Sequence, residues 1–214
     1  MGRNIERDER EHAQRMQEIA MTAFSVFAER TIEKVKMTDI AEACGKGISS
    51  IYRHYKSKPE LVLAAATLAW DGYIREHNRG YDPTGLTAAE QYEFILDAFL
   101  DLYRNHRDLL RFNQFFNVYV QSEGVATKAL EPYMAVIRRL LAQFHELYLT
   151  GLRDGTLRTD TPEREMVSTT IHLMLAAVTR YAVGLVFTEG SEQEKELITQ
   201  KNMLMARYTV RNRS

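Results

Sequence analysis

The stretch GKGISSIYRHYKSKPEL, residues 45–61, begins with a glycine-rich turn and ends at a Lys-Ser-Lys-Pro boundary. The residues before the turn, 37–44, have the apolar spacing of a short helix, and residues 48–55 have the spacing of a second one. Two short helices joined by a three-residue turn that contains glycine are typical of a helix-turn-helix. The sequence therefore predicts this motif over residues 37–55, with Ile51 and Tyr55 facing inward onto Ile40 and Phe24.

The second short helix carries side chains suited to contact with DNA. In a helix-turn-helix this helix lies in the major groove, while the first helix crosses the backbone. Ser49 and Ser50 are small, so the helix can approach base edges closely. Tyr52, Arg53 and His54 can donate hydrogen bonds to phosphates, and Arg53 can also reach a guanine edge.

Positive charge is concentrated around this motif. Residues 34–58 contain six basic and two acidic residues, a net charge of +4, although the whole chain has a net charge of −1. A basic patch on an otherwise acidic chain is typical of a phosphate-binding surface, and an ordinary solvated face is the alternative. Lys58 stands at the start of the next helix, where backbone N–H groups favour an anion. Ser57 and Glu60 predict a capping box there.

The rest of the chain has the pattern of longer helices. Few glycines and prolines, eleven and four, and no run of alternating strand pattern favour an all-α fold. A boundary near Lys58 separates the short helices from the long ones. Apolar periodicity predicts helices over residues 7–30, 37–44, 48–55, 60–78, 87–105, 108–121, 127–153, 163–189 and 192–211.

The residues of the helix-turn-helix also match a known family. Phe24-x-x-Phe27-Ala28, Thr38-Asp39-Ile40-Ala41-Glu42, Gly45, Ile51-Tyr52-Arg53-His54-Tyr55 and Lys58-x-x-Leu61 resemble the DNA-binding domain of TetR-family transcriptional regulators. The resemblance covers roughly residues 13–62 without a gap. Beyond residue 62 the sequence shares only a general pattern of long helices with the family.

The resemblance implies an all-α protein of about nine helices that works as a homodimer on a palindromic operator in double-stranded DNA. It implies a DNA-binding domain over residues 1–58 and an effector-binding and dimerisation domain over residues 59–214. A small hydrophobic effector would release the DNA, which is the behaviour of a repressor, although the sequence does not exclude activation. By position, the DNA contacts would be Thr38, Lys46, Ser49, Ser50, Tyr52, Arg53, His54 and Lys58.

Four positions depart from the family pattern. Lys36 stands where the family usually has the serine or threonine that caps the second helix, and Thr31 replaces a common glycine. Lys46 and Gly47 replace an apolar and a polar turn residue, which puts contacts from the turn in doubt. Ile48 stands where members often place a base-contacting residue. It would touch a thymine methyl or cover the small core of the domain.

The predicted effector pocket draws on aromatic and polar side chains of the long helices. Ligand pockets are mostly apolar with a few placed polar groups. The chosen residues would suit a flat or aliphatic effector with an acidic group, although aromatic residues at helical spacing are also ordinary core. The candidates are Trp70, Phe112, Phe116, Tyr119, Met134, His172, Met174 and Arg180.

The last two predicted helices are candidates for the dimer interface. Apolar residues at intervals of three and four, with small residues between them, allow close packing of two helices from each subunit. The alternative is that residues 163–189 lie at the centre of the monomer core. The predicted interface residues are Ile171, Leu175, Val178, Ala182, Leu185, Leu204 and Tyr208.

Composition and motifs argue against several other functions. The single cysteine forms no intrachain disulfide, and no metal-ligand spacing, phosphate loop or nucleophile motif is present. We therefore expect no enzymatic activity, cofactor or metal site. The most apolar stretch, residues 173–187, is shorter than the ~20 residues of a membrane span, which favours a cytoplasmic protein. The rival hypothesis is an all-α small-molecule carrier or enzyme in which the short helices are structural.

Overall fold

The structure is a computed structural model that describes residues 2–158, 160–184 and 190–210, without the side chains of residues 2–6 and 191. Within these residues the chain forms nine α-helices and no strand longer than an isolated bridge. The predicted all-α fold is therefore confirmed. The helices are α1 (Gly2–Arg30), α2 (Met37–Ala43), α3 (Ile48–His54), α4 (Lys58–His77), α5 (Ala88–Asn105), α6 (Arg107–Ser122), α7 (Glu131–Asp154), α8 (Glu163–Ala182) and α9 (Gly190–Tyr208).

Three helix boundaries differ from the sequence prediction by four residues or more, and the first is the start of α1, which lies at Gly2 and not at residue 7. We expected a helix from residue 127, but residues 126–130 form turns and α7 begins at Glu131. Pro132 explains the difference, because proline has no N–H to donate and fits only the first turn of a helix. We expected α8 to continue to residue 189, but it ends at Ala182, and Gly184 adopts a φ of 77°. A left-handed glycine just beyond the last turn ends a helix.

The chain divides into two compact units. Unit 1 comprises Met1–Arg75 and Arg111–Val136, and unit 2 comprises Glu76–Leu110 and Ile137–Ser214. These units are a different division from the predicted domains 1–58 and 59–214, whose functional boundary stays a prediction.

Unit 1 has a core built by α1 and α4 with residues of α2, α3 and α6. Phe24 and Phe27 of α1 lie against Phe112, at ring-centroid distances of 5.1 and 6.4 Å. Phe112 stacks in turn on Phe116, and the Trp70 indole donates to Asn113 Oδ1 at 3.3 Å. Apolar burial on this scale is what holds the short helices in place, since helices of seven residues are not stable alone.

Unit 2 is organised by the mutual packing of α5, α8 and α9. Its centre holds Tyr92, whose hydroxyl hydrogen-bonds Thr170 Oγ1 at 2.7 Å and whose ring meets Tyr208 edge-on at 6.2 Å. The start of α5 is capped by Thr87 and Glu90, and Asp154 accepts from Ala88 N at 2.7 Å. These contacts give the N–H groups at the start of α5 hydrogen-bond partners.

Candidate nucleic-acid interface

The turn between α2 and α3 is fixed by a left-handed glycine. Gly45 has a φ of 62°, and its N–H donates to Glu42 O at 2.9 Å. The N–H of Lys46 donates to Ala41 O, also at 2.9 Å. This pair of bonds is a Schellman motif, in which the residue after the C-cap adopts a conformation that glycine reaches most easily. The turn therefore ends α2 sharply and lets α3 begin three residues later.

The start of α2 is capped from inside the helix. Lys36, the N-cap residue, makes no side-chain cap bond, as expected for an ammonium that has no lone pair to offer. The Asp39 carboxylate instead accepts from the backbone N–H of Lys36 at 2.8 Å and lies 3.7 Å from the Arg30 guanidinium. Asp39 thus makes the half of a capping box in which the third helical residue accepts from the N-cap N–H, and the bond that a serine or threonine hydroxyl would make is absent. An acidic residue three positions after the N-cap was the available signal.

α3 presents a polar face to solvent and one apolar residue to the interior. Ile51 is completely buried, while Ser49, Tyr52 and Arg53 are exposed, Tyr52 by 45%. Ser50 is half-buried. A helix that exposes small, aromatic and cationic side chains together has the composition of a DNA-reading surface.

We call α1, α2 and α3 together the head. Buried residues of the head hold α3 in place. Tyr55 is buried, and its hydroxyl donates to Met16 O of α1 at 2.8 Å. Phe24 and Ile40 are buried, as predicted from their spacing. Ile48 is 36% exposed, so it is available to a partner while covering part of the interior. Thr38 and Lys46 are exposed.

His54 lies against α1 rather than standing in solvent. Its ring is 4.8 Å from the His12 ring, and its buried Nδ1 has no hydrogen-bond partner among the described residues. Burial lowers the pKa of His54, and the nearby His12 and Arg53 act in the same direction. The imidazole is therefore held towards its neutral form. A contact with DNA would need the other ring nitrogen.

Lys58 has partners within unit 1. Its ammonium donates to Glu33 O at 3.3 Å and lies 5.7 Å from the centre of the Tyr119 ring. Burial lowers the pKa of Lys58, while the Glu33 and Glu123 carboxylates oppose that shift. A phosphate contact by this lysine would replace the bond to the Glu33 carbonyl. No local sequence pattern predicts the contacts to Glu33 and Tyr119, which lie 25 and 61 positions away from Lys58 in the chain.

The residues predicted to line an effector pocket fall into two groups. In unit 1, Trp70, Phe112, Phe116 and Tyr119 are all buried among other side chains, and Met134 is 37% exposed. In unit 2, Met174 is fully buried, and His172 and Arg180 are exposed.

Two cavities that are large enough for a ligand are lined by residues other than the predicted ones. One, of about 380 Å³, lies in unit 2. Its lining comprises Asn78, Tyr81, Pro83, Gln91, Phe94, Ile95, Arg139, Ala142, Gln143, Glu146 and Leu147. The other, of about 710 Å³, lies in unit 1 at the start of α4. None of the eight predicted pocket residues lines either cavity.

The residues predicted for a dimer interface are mostly internal to unit 2. Val178, Leu204 and Tyr208 are at most 3% exposed in the single chain. Ile171, Leu175 and Ala182 are half-buried, and Leu185 lies outside the described residues. Burial in unit 2 follows from the packing of α8 on α5 and α9. Among the described side chains of these two helices, the large apolar ones that are exposed are Leu173, Ile198 and Met203, at 40%, 37% and 62%.

Among the described residues, no three histidine, cysteine or carboxylate side chains stand close enough to hold a metal ion. No helix in the described part of the chain is long and apolar enough to cross a membrane. Burial raises the pKa of the Cys44 thiol, which disfavours the reactive thiolate.

Comparison with known proteins bears on the head and on the fold separately. Residues 19–65 match the family model described as bacterial regulatory proteins, tetR family. An HTH-type transcriptional regulator of Staphylococcus aureus strain USA300 is 37% identical over 119 residues, which is 51% of this chain and 63% of that protein. Another from strain MRSA252 is 29% identical over 107 residues, or 50% of this chain and 56% of that protein. The chain thus spans less than two thirds of the length of these relatives.

Solved structures share the fold over nearly the whole chain. A candidate transcriptional regulator from Saccharomonospora viridis, solved in complex with choline, has a TM-score of 0.73 at 18% identity and covers 93% of this chain and 100% of its own. The regulator FadR from Bacillus subtilis, in complex with stearoyl-CoA, has a TM-score of 0.66 at 16% identity, with coverages of 88% and 95%. Residues 19–65 are thus similar to the tetR family of bacterial regulatory proteins, and the solved structures show the same helical fold over nearly the whole chain.

Proposed function

We propose that this protein is a transcriptional regulator that binds double-stranded DNA through the exposed face of α3. The observation that carries the proposal is the composition of that face. Ser49, Tyr52 and Arg53 are exposed on a helix that a Schellman turn positions after α2, while Ile51 anchors it in the core. Phosphate contacts would come from Tyr52 and Arg53, and base contacts from Ser49 and Arg53.

The regulator would act as a homodimer on a palindromic operator. One helix of seven residues reads few base pairs, and twofold symmetry doubles the number of bases contacted. Exposed Leu173, Ile198 and Met203 on α8 and α9 support a dimer surface there. The half-buried Ile171 and Leu175 would contribute to the same surface. The compartment that we propose is the cytoplasm, which holds bacterial DNA.

Repression with release by a small effector is the mode of action that we propose. The cavity of about 380 Å³ in unit 2 supports an effector site, because it falls within the usual range of ligand pockets. Its lining combines the stacked Tyr81 and Phe94 rings, 3.9 Å apart, with the polar side chains of Asn78 and Gln91. The complexes of related folds with choline and stearoyl-CoA support the same idea.

Selection of bound sequences from a random duplex pool tests the DNA-binding function directly. We expect a palindromic consensus, and affinity for it that falls steeply with salt because phosphate contacts release counterions. In anisotropy titrations against that consensus, Tyr52→Ala and Arg53→Ala should each weaken binding roughly tenfold or more and flatten the salt slope by about one unit. Lys128→Ala is the matched control, since this exposed cation of unit 1 lies outside the head.

Two outcomes would contradict the proposal. Absence of any enriched sequence at low salt would favour the carrier hypothesis. Equal DNA affinity of the control and both α3 variants would remove α3 from the interface.

A further inference from the structure

A cleft of about 710 Å³ in unit 1 opens beside the first two turns of α4. Its walls come from three places in the sequence: Met16 of α1, the segment from Tyr55 to Thr67, and the connection between α6 and α7 with Pro132. The volume lies within the range of about 300–1,000 Å³ that small-molecule sites occupy. The α3 face that we propose for DNA contributes no residue to this lining.

Most of the cleft wall is apolar. Leu63 and Ala64 supply the α4 side, and Val125, Ala126 and Ala129 supply the opposite side. Leu63, Ala64 and Val125 are only half-buried, and the two alanines are exposed. A ligand with an apolar body would cover this surface and gain about 25 cal/mol for each Å² removed from water.

The charged residues of the lining have one sign. Glu60 and Glu123 are exposed carboxylates in the cleft, and its lining includes no lysine, arginine or histidine. Glu60 accepts from the backbone N–H of Lys56 at 2.7 Å, which fixes the position of its carboxylate at the start of α4. The cleft therefore presents negative charge at a defined place next to an apolar wall.

The two neighbouring lysines donate to backbone carbonyls, and Lys58 also lies close enough to Glu123 for that carboxylate to oppose the lowering of its pKa. The Lys56 ammonium donates to the carbonyls of Tyr52 and Arg53, at 3.4 and 3.3 Å. The Lys58 ammonium donates to the Glu33 carbonyl at 3.3 Å. Neither lysine lines the cleft. Glu123 is therefore shared with Lys58, and the Glu60 carboxylate is the main group of the lining that is complementary to a cationic ligand.

We propose that this cleft, the acidic cleft, binds an amphiphilic organic monocation. The cationic group faces Glu60 and Glu123, and the apolar body lies along Leu63, Ala126 and Ala129. Carboxylates beside an apolar surface favour a weakly hydrated organic cation over an inorganic one, because the ligand gains from charge and from burial together. An anionic amphiphile would meet two like charges and no opposite one.

Occupation of the acidic cleft has a consequence for the head, if the proposed DNA-binding function holds. Ser57 and Pro59 line the cleft and flank Lys58, a proposed phosphate contact. A ligand there touches the residues on both sides of that lysine. The site is separate from the cavity of about 380 Å³ in unit 2, with which it shares no lining residue.

Calorimetric titration of the full chain without DNA tests the proposal with three probes of equal tail length. Octyltrimethylammonium should bind with one site per chain, at least about tenfold more tightly than nonanoate and 1-octanol, below micelle-forming concentrations. Because DNA is absent from this titration, a failure to bind the probe leaves the DNA-binding proposal untouched. A failure to bind DNA likewise leaves the proposal for the acidic cleft untouched.

Single-charge variants locate the cation. Glu60→Gln and Glu123→Gln should each weaken octyltrimethylammonium binding about fivefold, and the double variant should bind it no better than 1-octanol. Glu60→Gln keeps an oxygen that can accept from Lys56 N–H, so α4 stays capped. Glu29→Gln is the matched control, an exposed carboxylate of α1 outside the cleft.

Two results would overturn the proposal. One is equal binding of the three probes to the wild-type chain. The other is unchanged cation affinity in the folded double variant, with folding checked by its thermal melt.

Discussion

α3 and α8 differ in what their exposed side chains reveal. α3 buries only Ile51 and exposes serine, tyrosine and arginine side chains, so its surface composition points to a partner. α8 buries Thr170, Met174 and Val178, and it exposes Leu173 and Arg180, which lie close to them in sequence. Small serines beside an exposed tyrosine and arginine are the residue types that contact bases and phosphates, whereas apolar residues serve a core, a pocket and an interface equally well. The exposed side chains of α3 therefore indicate a function, whereas those of α8 are compatible with several.

The largest expected effect separates core from interface on α8 and α9. Val178→Asp places an unpaired charge in a fully buried site and should lower the free energy of unfolding by about 3 to 5 kcal/mol. Met203→Glu, at a side chain 62% exposed, should change the stability of the folded subunit by no more than about 0.5 kcal/mol. Denaturant melts at one protein concentration compare the two variants.

The same variant of Met203 tests the dimer surface. If Met203 lies in the interface, Met203→Glu should weaken dimerisation about tenfold or more, measured by sedimentation over a concentration series. Met134→Glu is the matched control, an exposed methionine of unit 1. A Met203→Glu protein that dimerises like wild type would move the interface away from α9.

A smaller effect is expected in the interior of unit 2. Tyr92→Phe removes the hydroxyl that pairs with Thr170 Oγ1 at 2.7 Å, and should cost about 1 to 2 kcal/mol because the threonine is left buried. Tyr52→Phe is the control, since that hydroxyl is on a side chain 45% exposed. Chemical denaturation measures the free energy of unfolding of both variants. Equal small effects would mean that the buried pair contributes nothing specific.

The smallest effect concerns the end of α1 in the head. Thr31 has a φ of 66°, a left-handed conformation that strains a β-branched residue by about 1 to 2 kcal/mol. Thr31→Gly should relieve more strain than the added flexibility of the unfolded chain costs, a net gain of about 0.5 kcal/mol.

The thermal midpoint provides the measurement for this variant. Ser25→Gly, an exposed position inside α1, is the control and should lower the midpoint. A Thr31→Gly midpoint below wild type would show that the left-handed residue is not strained.

The sequence predicted the head closely because its signals are local. The glycine turn, the apolar spacing of Ile40 and Ile51, and the Ser57 cap each act within a few residues. Only half of the predicted capping box forms, because Ser57 Oγ accepts from Glu60 N at 3.4 Å while the Glu60 carboxylate accepts from Lys56 N. Lys36 and Thr31 were recognised as departures from the family pattern, and the structure supplies their physical reasons. Asp39 accepts from the Lys36 N–H, which ties the start of α2 without the hydroxyl's own bond, and Thr31 occupies the left-handed position that a glycine would fill.

Only the tertiary structure decided which long-range neighbours each side chain has. By itself, the sequence determined the all-α fold, the helix-turn-helix and the polar face of α3, because helical periodicity and turn chemistry are read over short distances. It did not determine that Lys58 reaches Glu33 and Tyr119, that Val178 and Tyr208 are internal to unit 2, or that a cleft with two glutamates opens beside α4. Those facts depend on packing between segments distant in sequence, and one amphipathic pattern is compatible with many such packings.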